Sequence, residues 1–174
     1  TLYPELQRLE LRGEVRRGYF VQGLAGVQFA LPEVVEQLRD LAAAPEADAV
    51  FVVMNACDPA NLYGAALPDG PVTATGAALT FARLPSTWLV LRRGLPVLLA
   101  EDSGARLTTV AGAGDDETAA AVHALVNHLG ASEAHFQVTT WNDAAVLGST
   151  GQPLLERAGF YRDYPGMSWE RRRA

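Results

Sequence analysis

No lysine occurs anywhere in this 174-residue chain, so its fourteen positive side chains are all arginines. That excludes a Walker A phosphate loop, whose lysine reaches the terminal phosphates of a nucleotide, and it equally excludes Schiff-base chemistry. No cofactor is expected in the chain itself. Cysteine is almost absent as well. Cys57 alone cannot close an internal disulfide, and it lacks the partner cysteines of a zinc site. A reducing, intracellular compartment fits that usage, and no targeting segment argues against it. Apolar residues make up 49% of the chain but are broken by glycine and proline, leaving no run of the roughly 20 residues a membrane helix needs. Also missing are a G-x-S-x-G elbow, a G-x-G-x-x-G loop and a serine in a recognisable nucleophile setting. His123 and His128 are five residues apart and point in different directions on a helix, unlike the two histidines of HExxH, so with His135 they give no reason to expect a metal. Cys57, just after an apolar run, is expected to be an inert structural thiol.

Charge is present but unevenly placed. The net charge is −6, yet residues 1–17 hold four arginines against three acids and residues 161–174 hold four against two, whereas the stretch between carries six against fifteen. Positive charge gathers at the two ends, which by itself reads first as a solvated surface with arginine tails of no consequence and only second as a contact for a polyanion. The length suits one main domain with an appendage.

Leu2, Leu6, Leu9 and Leu11 recur at roughly helical spacing, and Gly13 is placed to close that helix as a C′ residue. Strand character follows at Val15–Val21 and Val27–Ala30, with Gly18, Gly23 and Gly26 as breakers, which predicts a hairpin. Pro32 near the first helical position opens a second helix carrying Val34, Val35, Leu38 and Leu41 inward. A helix running straight into an arginine-bearing hairpin looks like the last helix and wing of a winged helix. The two further helices such a fold needs do not precede Thr1, so the chain reads as the C-terminal piece of a larger protein. The alanine-rich stretch Ala43–Asp48 is the expected domain boundary.

Beyond it, Ala49–Met54 predicts a strand buried on both faces, and Asp58–Gly64 a turn. A loop of proline, glycine and threonine spans Pro68–Gly76. Thr87–Leu91, Leu95–Ala100 and Arg106–Val110 predict an antiparallel meander with a turn at Arg92-Arg93-Gly94. Asp115, Asp116 and Glu117 open a helix that buries Ala121, Leu125 and Leu129 and is expected to stop at Gly130. A strand over Ala134–Trp141, a turn at Asn142-Asp143 and a return through Ala144–Leu147 come next. Ser149 and Gln152 make a capping-box pattern for a helix ending at Gly159, and Tyr164-Pro165-Gly166-Met167 matches a type II turn.

Two constellations could carry chemistry. Arg8, Arg12, Arg16 and Arg17, with Tyr19 among them, offer guanidinium groups for phosphates and a ring for stacking, and Arg171, Arg172 and Arg173 offer a second contact. The alternative is internal pairing, Arg8 with Glu5 and Arg12 with Glu10 or Glu14. In Asp58-Pro59-Ala60-Asn61 the aspartate could serve as a general base or orient a water, with Asn61 reading a base edge. The competing role is an Asx turn, in which Asp58 accepts backbone N–H groups and Pro59 stiffens the bend. Trp88, Trp141 and Trp169 are expected as core or rim aromatics.

Several segments, in order, resemble the C-terminal end of the large helicase-related (Lhr-type) superfamily 2 DNA helicases. They are Leu9–Arg16 with Gly18–Val21, then Gln28–Pro32, Asp58–Leu62, Leu154–Phe160 and Tyr164–Met167. The resemblance implies an ATPase motor far upstream in the same polypeptide, using ATP and Mg, and nucleic-acid binding during unwinding or repair. For long members it also implies removal of uracil from DNA, dependent on an aspartate in this region. Near the C-terminus the acids are Asp163 and Glu170, and neither lies in a motif that matches the family.

The fold expected is α+β: a small antiparallel barrel-like or strongly twisted sheet with flanking helices over residues 44–174, preceded over residues 1–43 by the winged-helix remnant and a connecting helix. The function expected is a DNA-binding accessory domain of an ATP-dependent DNA helicase acting in repair, without ATPase activity of its own, cytoplasmic and nucleoid-associated. A uracil-type DNA glycosylase using Asp58 and Asn61 is the alternative, and a purely structural cap is a third reading.

Overall fold

The computed structural model describes residues 2–21, 24–43, 50–64 and 70–171. They fall into two compact units, Thr1–Ala49 and Val50–Ala174. The fold is mixed α+β, as the sequence indicates.

The first unit opens with helix α1, Tyr3–Leu11. It closes in a Schellman arrangement: Gly13 N–H donates to Glu10 O and Glu14 N–H to Leu9 O, both at 2.9 Å. This geometry needs a left-handed residue at C′, and Gly13 supplies it at φ 76°. Strands β1, Arg16–Gly18, and β2, Gln28–Ala30, then pair antiparallel with Arg16 opposite Ala30. Helix α2, Pro32–Ala43, begins at the proline. Its apolar residues do not all turn inward as expected. Val35 is buried, but Val34, Leu38 and Leu41 are 38%, 40% and 68% exposed.

The second unit holds strands β3 (Phe51–Asn55), β4 (Trp88–Arg92), β5 (Leu95–Glu101), β6 (Arg106–Thr109), β7 (His135–Val138), β8 (Thr140–Trp141), β9 (Ala144–Ala145), β10 (Tyr161–Asp163) and β11 (Gly166–Glu170), with helices α3 (Asp115–Ser132) and α4 (Gly151–Arg157). Six strands form one sheet in the order β3-β4-β5-β6-β8-β9, and three form another in the order β10-β11-β7. The larger sheet has β3 and β9 at its edges, so among the described residues no closed barrel is made. All its pairings are antiparallel except β6 with β8.

Alternation along the central strands divides the core. Val90, Leu98, Ala100 and Leu107 pack with Val122, Leu125 and Leu129 of α3 and Leu154 and Leu155 of α4. Leu89, Leu91 and Leu99 pack instead with Ala56, Leu79 and Phe81. The meander stands where the sequence places it, with Arg93 and Gly94 both at positive φ in a two-residue turn.

Five local expectations are corrected. Strand β3 is an edge strand with Val52 52% exposed, not a strand buried on both faces. Helix α3 runs past Gly130 to Ser132, because that glycine admits the Trp169 ring rather than ending the helix. The stretch 134–141 is split between two sheets at Thr139, whose N–H and hydroxyl both donate to Ala105 O. The capping box is displaced: Ser149 Oγ accepts from Gly151 N–H, and Gln152 Oε1 accepts from Gly148 N–H. The last hairpin turns on Tyr164 and a cis Pro165, the arrangement of a type VI turn, and Gly166 begins β11 against the Val138 carbonyl. No helix among the described residues is long and apolar enough to cross a membrane.

Candidate nucleic-acid interface

Hydrogen bonds of a single side chain shape the wing tip. Gln28 Oε1 accepts from the N–H groups of Phe20 and Val21 at 2.7 and 2.8 Å, and its Nε2 donates to Val21 O at 2.9 Å. The amide thus continues the ladder where the strands part. Phe20 folds its ring back over Gly18, where a Cβ would stand 2.8 Å from Cζ. Tyr19, between them, is left 78% exposed. An exposed phenol on a wing is suited to stacking on a base or bonding a phosphate.

Each of the four arginines on this helix and wing meets a carboxylate. Arg8 pairs with Glu5 at 2.9 Å and Arg12 with Glu14 at 2.6 Å, pairings the sequence suggested. Arg16 pairs with Glu36 of α2 at 2.9 Å and Arg17 with Glu10 of α1 at 3.2 Å. Successive strand residues point to opposite faces, so Arg16 and Arg17 reach different helices. Their side chains are 50% and 49% exposed. Exposed pairs of this kind contribute about 0–1 kcal/mol, so phosphate oxygens compete with them readily. The first unit as a whole carries five arginines against eight acids, so any attraction for a polyanion is local to α1 and β1.

Arg171 lies in the second unit. It donates through Nη2 to Ala131 O at 3.0 Å and Glu133 O at 3.2 Å, satisfying carbonyls at the end of α3. Arg172 and Arg173 lie outside the described residues, as do most of the expected boundary and the first part of the Pro68–Gly76 loop.

Asp58 and Asn61 sit in a chain of three Asx turns. Asn55 Oδ1 accepts from Cys57 N–H, Asp58 Oδ1 from Ala60 N–H and Asn61 Oδ1 from Tyr63 N–H, at 2.9, 2.8 and 2.9 Å. Asn61 is 3% exposed, and its Nδ2 also donates to Ala56 O at 2.9 Å. Its amide is thereby engaged with the loop backbone at both ends. Asp58 is exposed. Arg83 was no candidate in the sequence, yet its Nη2 donates to Asn61 O at 2.8 Å and Tyr63 O at 3.2 Å, holding the loop from outside. Tyr63 donates to Gly94 O at 2.7 Å, and burial pushes its phenol pKa upward. Cys57 is exposed, not packed away as expected.

At the C-terminal hairpin, the Tyr161 hydroxyl donates to Glu170 Oε1 at 2.9 Å, which raises its pKa, and Ser168 Oγ donates to Asp163 Oδ2 at 2.6 Å. Both acids are thus in hydrogen bonds on one small sheet. His128 packs edge-on against Trp88, 4.6 Å between ring centres. Among the described residues no three His, Cys, Asp or Glu side chains gather to hold a metal ion.

Comparison with known proteins accords with the arrangement of the first unit. Residues 1–50 match the family model described as the large helicase-related protein, winged-helix domain. The chain is 30% identical over 174 residues, 96% of its own length and 11% of the relative's, to the Lhr helicase/uracil glycosylase of Escherichia coli strain K12. It is 47% identical over 72 residues, 38% of its own length and 5% of the relative's, to the Lhr helicase/probable uracil glycosylase of Mycolicibacterium smegmatis. It therefore spans only a small part of the curated relatives it matches. A winged-helix match over the helix and wing, together with likeness along nearly the whole chain, makes this a member of the Lhr-type helicase family, similar to that family's C-terminal region.

Proposed function

We propose that this chain is a DNA-binding accessory region of an ATP-dependent DNA helicase acting in repair, with no ATPase of its own. The motor, with its ATP and Mg, lies elsewhere in the same polypeptide, in the cytoplasm and close to the nucleoid. The observation that carries this reading is that the helix and wing matching an Lhr-type winged-helix domain hold Arg8, Arg12, Arg16 and Arg17 only in solvent-exposed ion pairs and leave Tyr19 exposed. Such arginines contact phosphates and place the wing on a duplex, and Arg171, Arg172 and Arg173 give a second basic contact. The barrel-like or strongly twisted character of the larger sheet, and a domain division at residues 43 and 44, belong to the same reading.

A second reading is favoured by the names of both relatives, which include uracil glycosylase. In it the exposed Asp58 carboxylate activates water or steadies the developing sugar cation on a flipped nucleotide, with Asn61 shaping the loop. The two are separated by incubating the chain with single-stranded, duplex and uracil-containing DNA. Binding lost in Arg12→Ala/Arg17→Ala, with no abasic product, supports the accessory role. Abasic sites formed by the parent chain and absent with Asp58→Asn support the glycosylase.

A further inference from the structure

Arg39 of α2 belongs to none of the basic groups singled out in the sequence, yet it converges with the wing on one atom. Glu36 Oε1 accepts from Arg16 Nη1 and from Arg39 Nη1, each at 2.9 Å. The two guanidinium groups come from different elements, one from strand β1 and one from helix α2, and their residues are 23 positions apart. Two positive charges share one negative charge, so the group is locally cationic although α2 is otherwise acidic. Its side chains are 50%, 54% and 65% exposed for Arg16, Glu36 and Arg39. Half-exposed ions of this kind give the fold little stability, and each planar guanidinium has five N–H donors, most of them left to water here.

We infer that Arg16 and Arg39 form a clamp for one DNA phosphodiester, in which Glu36 occupies the place of the phosphate until DNA arrives. An oxygen anion between two guanidinium forks is what a backbone phosphate offers, with more charge-assisted bonds than a single carboxylate oxygen accepts. Displacing Glu36 into water costs little because it is already half exposed. The carboxylate then has two effects: it keeps the two arginines oriented, and it sets a threshold that a chance anion does not cross. This inference rests on the proposed DNA-binding role of the wing and adds a residue and a regulating acid to it.

The test is duplex DNA binding by fluorescence anisotropy across a salt series, using the full chain and the variants Glu36→Gln, Arg39→Ala, Glu33→Gln and Arg12→Ala/Arg17→Ala. Glu33 lies in the first turn of the same helix and makes no ion pair among the described residues, so its substitution removes the same negative charge without releasing an arginine. Circular dichroism of each variant checks that the helices are retained. Glu36→Gln is expected to bind about threefold tighter than Glu33→Gln, in proportion to the weak pairs it releases. Arg39→Ala is expected to bind about threefold more weakly and to lower the slope of log K against log salt by about 0.9, one phosphate's share. Equal affinities for the two glutamine variants, or an unchanged slope in Arg39→Ala, overturn the clamp. If Arg12→Ala/Arg17→Ala binds as the parent does, the wing reading fails, and the clamp that rests on it fails too. If that variant loses binding while Arg39→Ala does not, only the clamp is refuted.

Discussion

Replacing Asn61 by leucine should damage the fold far more than replacing Asp58 by asparagine, although the two residues share one loop. Asn61 is 3% exposed and bonds Ala56 O and Tyr63 N–H, both at 2.9 Å. Leucine offers neither partner. It leaves the carbonyl of a fully buried alanine unpaired, and also an N–H in a half-buried loop. An orphaned buried polar group costs about 1–3 kcal/mol, and Arg83 holds Asn61 O and Tyr63 O so that the loop has little freedom to relax. The expected loss is about 2–4 kcal/mol. Asp58→Asn keeps an Oδ1 that accepts from Ala60 N–H on an exposed residue, and its cost should stay below about 0.5 kcal/mol. Urea unfolding followed by tryptophan fluorescence measures both. The reasoning is refuted if Asn61→Leu unfolds at the parent's urea midpoint, or if Asp58→Asn costs more than about 1 kcal/mol. The contrast matters for function, since it makes Asp58→Asn a probe of chemistry that leaves the loop standing.

Gly130→Ala should destabilise the second unit by about 1 kcal/mol, because a Cβ there would lie 2.6 Å from Trp169 Cη2 and this crowding outweighs alanine's helical preference. In a Trp169→Phe background the same change should become stabilising, and thermal melts of the four proteins check the sign. The Tyr63 phenol is raised above 10.0 by burial, so more protons are bound in the folded state. Its contribution to stability is complete below pH 10.0 and lost as pH rises past that value, so Tyr63→Phe should flatten the alkaline fall in unfolding free energy. Arg171→Ala should cost about 1 kcal/mol by freeing the Ala131 and Glu133 carbonyls, read as fraying of α3 in hydrogen exchange.

What the sequence made legible was governed by local rules. Gly13 ends α1 because a Schellman turn needs its backbone conformation two residues after the last helical position, and Arg93-Gly94 turns a hairpin between two apolar runs. Pro32 marks the start of α2 for a similar reason. Features made by distant residues stayed hidden. Gly130 reads as a helix stop until Trp169, 39 residues on, is seen to fill the space beside it. Arg83 gives no local sign that it holds the Asp58 loop, and the pairing of Arg16 with Glu36 spans 20 positions. Arg8 with Glu5, within one helical turn, could be named from spacing alone, whereas spacing left Arg12 a choice of Glu10 or Glu14, which the fold settles for Glu14 by giving Glu10 to Arg17. Val34, Leu38 and Leu41 were legible as an apolar stripe, but burial depends on what covers a stripe, which spacing does not record.

The most direct test of the central claim is the salt dependence of duplex DNA binding by the chain, compared with its Arg8→Ala/Arg12→Ala/Arg17→Ala variant. If these arginines hold phosphates, the parent's log K falls steeply with log salt and the variant's slope is shallower by about 0.9 for each contact removed, close to 3 in all. A parent that shows no salt-sensitive binding, or a variant with the same slope, would contradict the account.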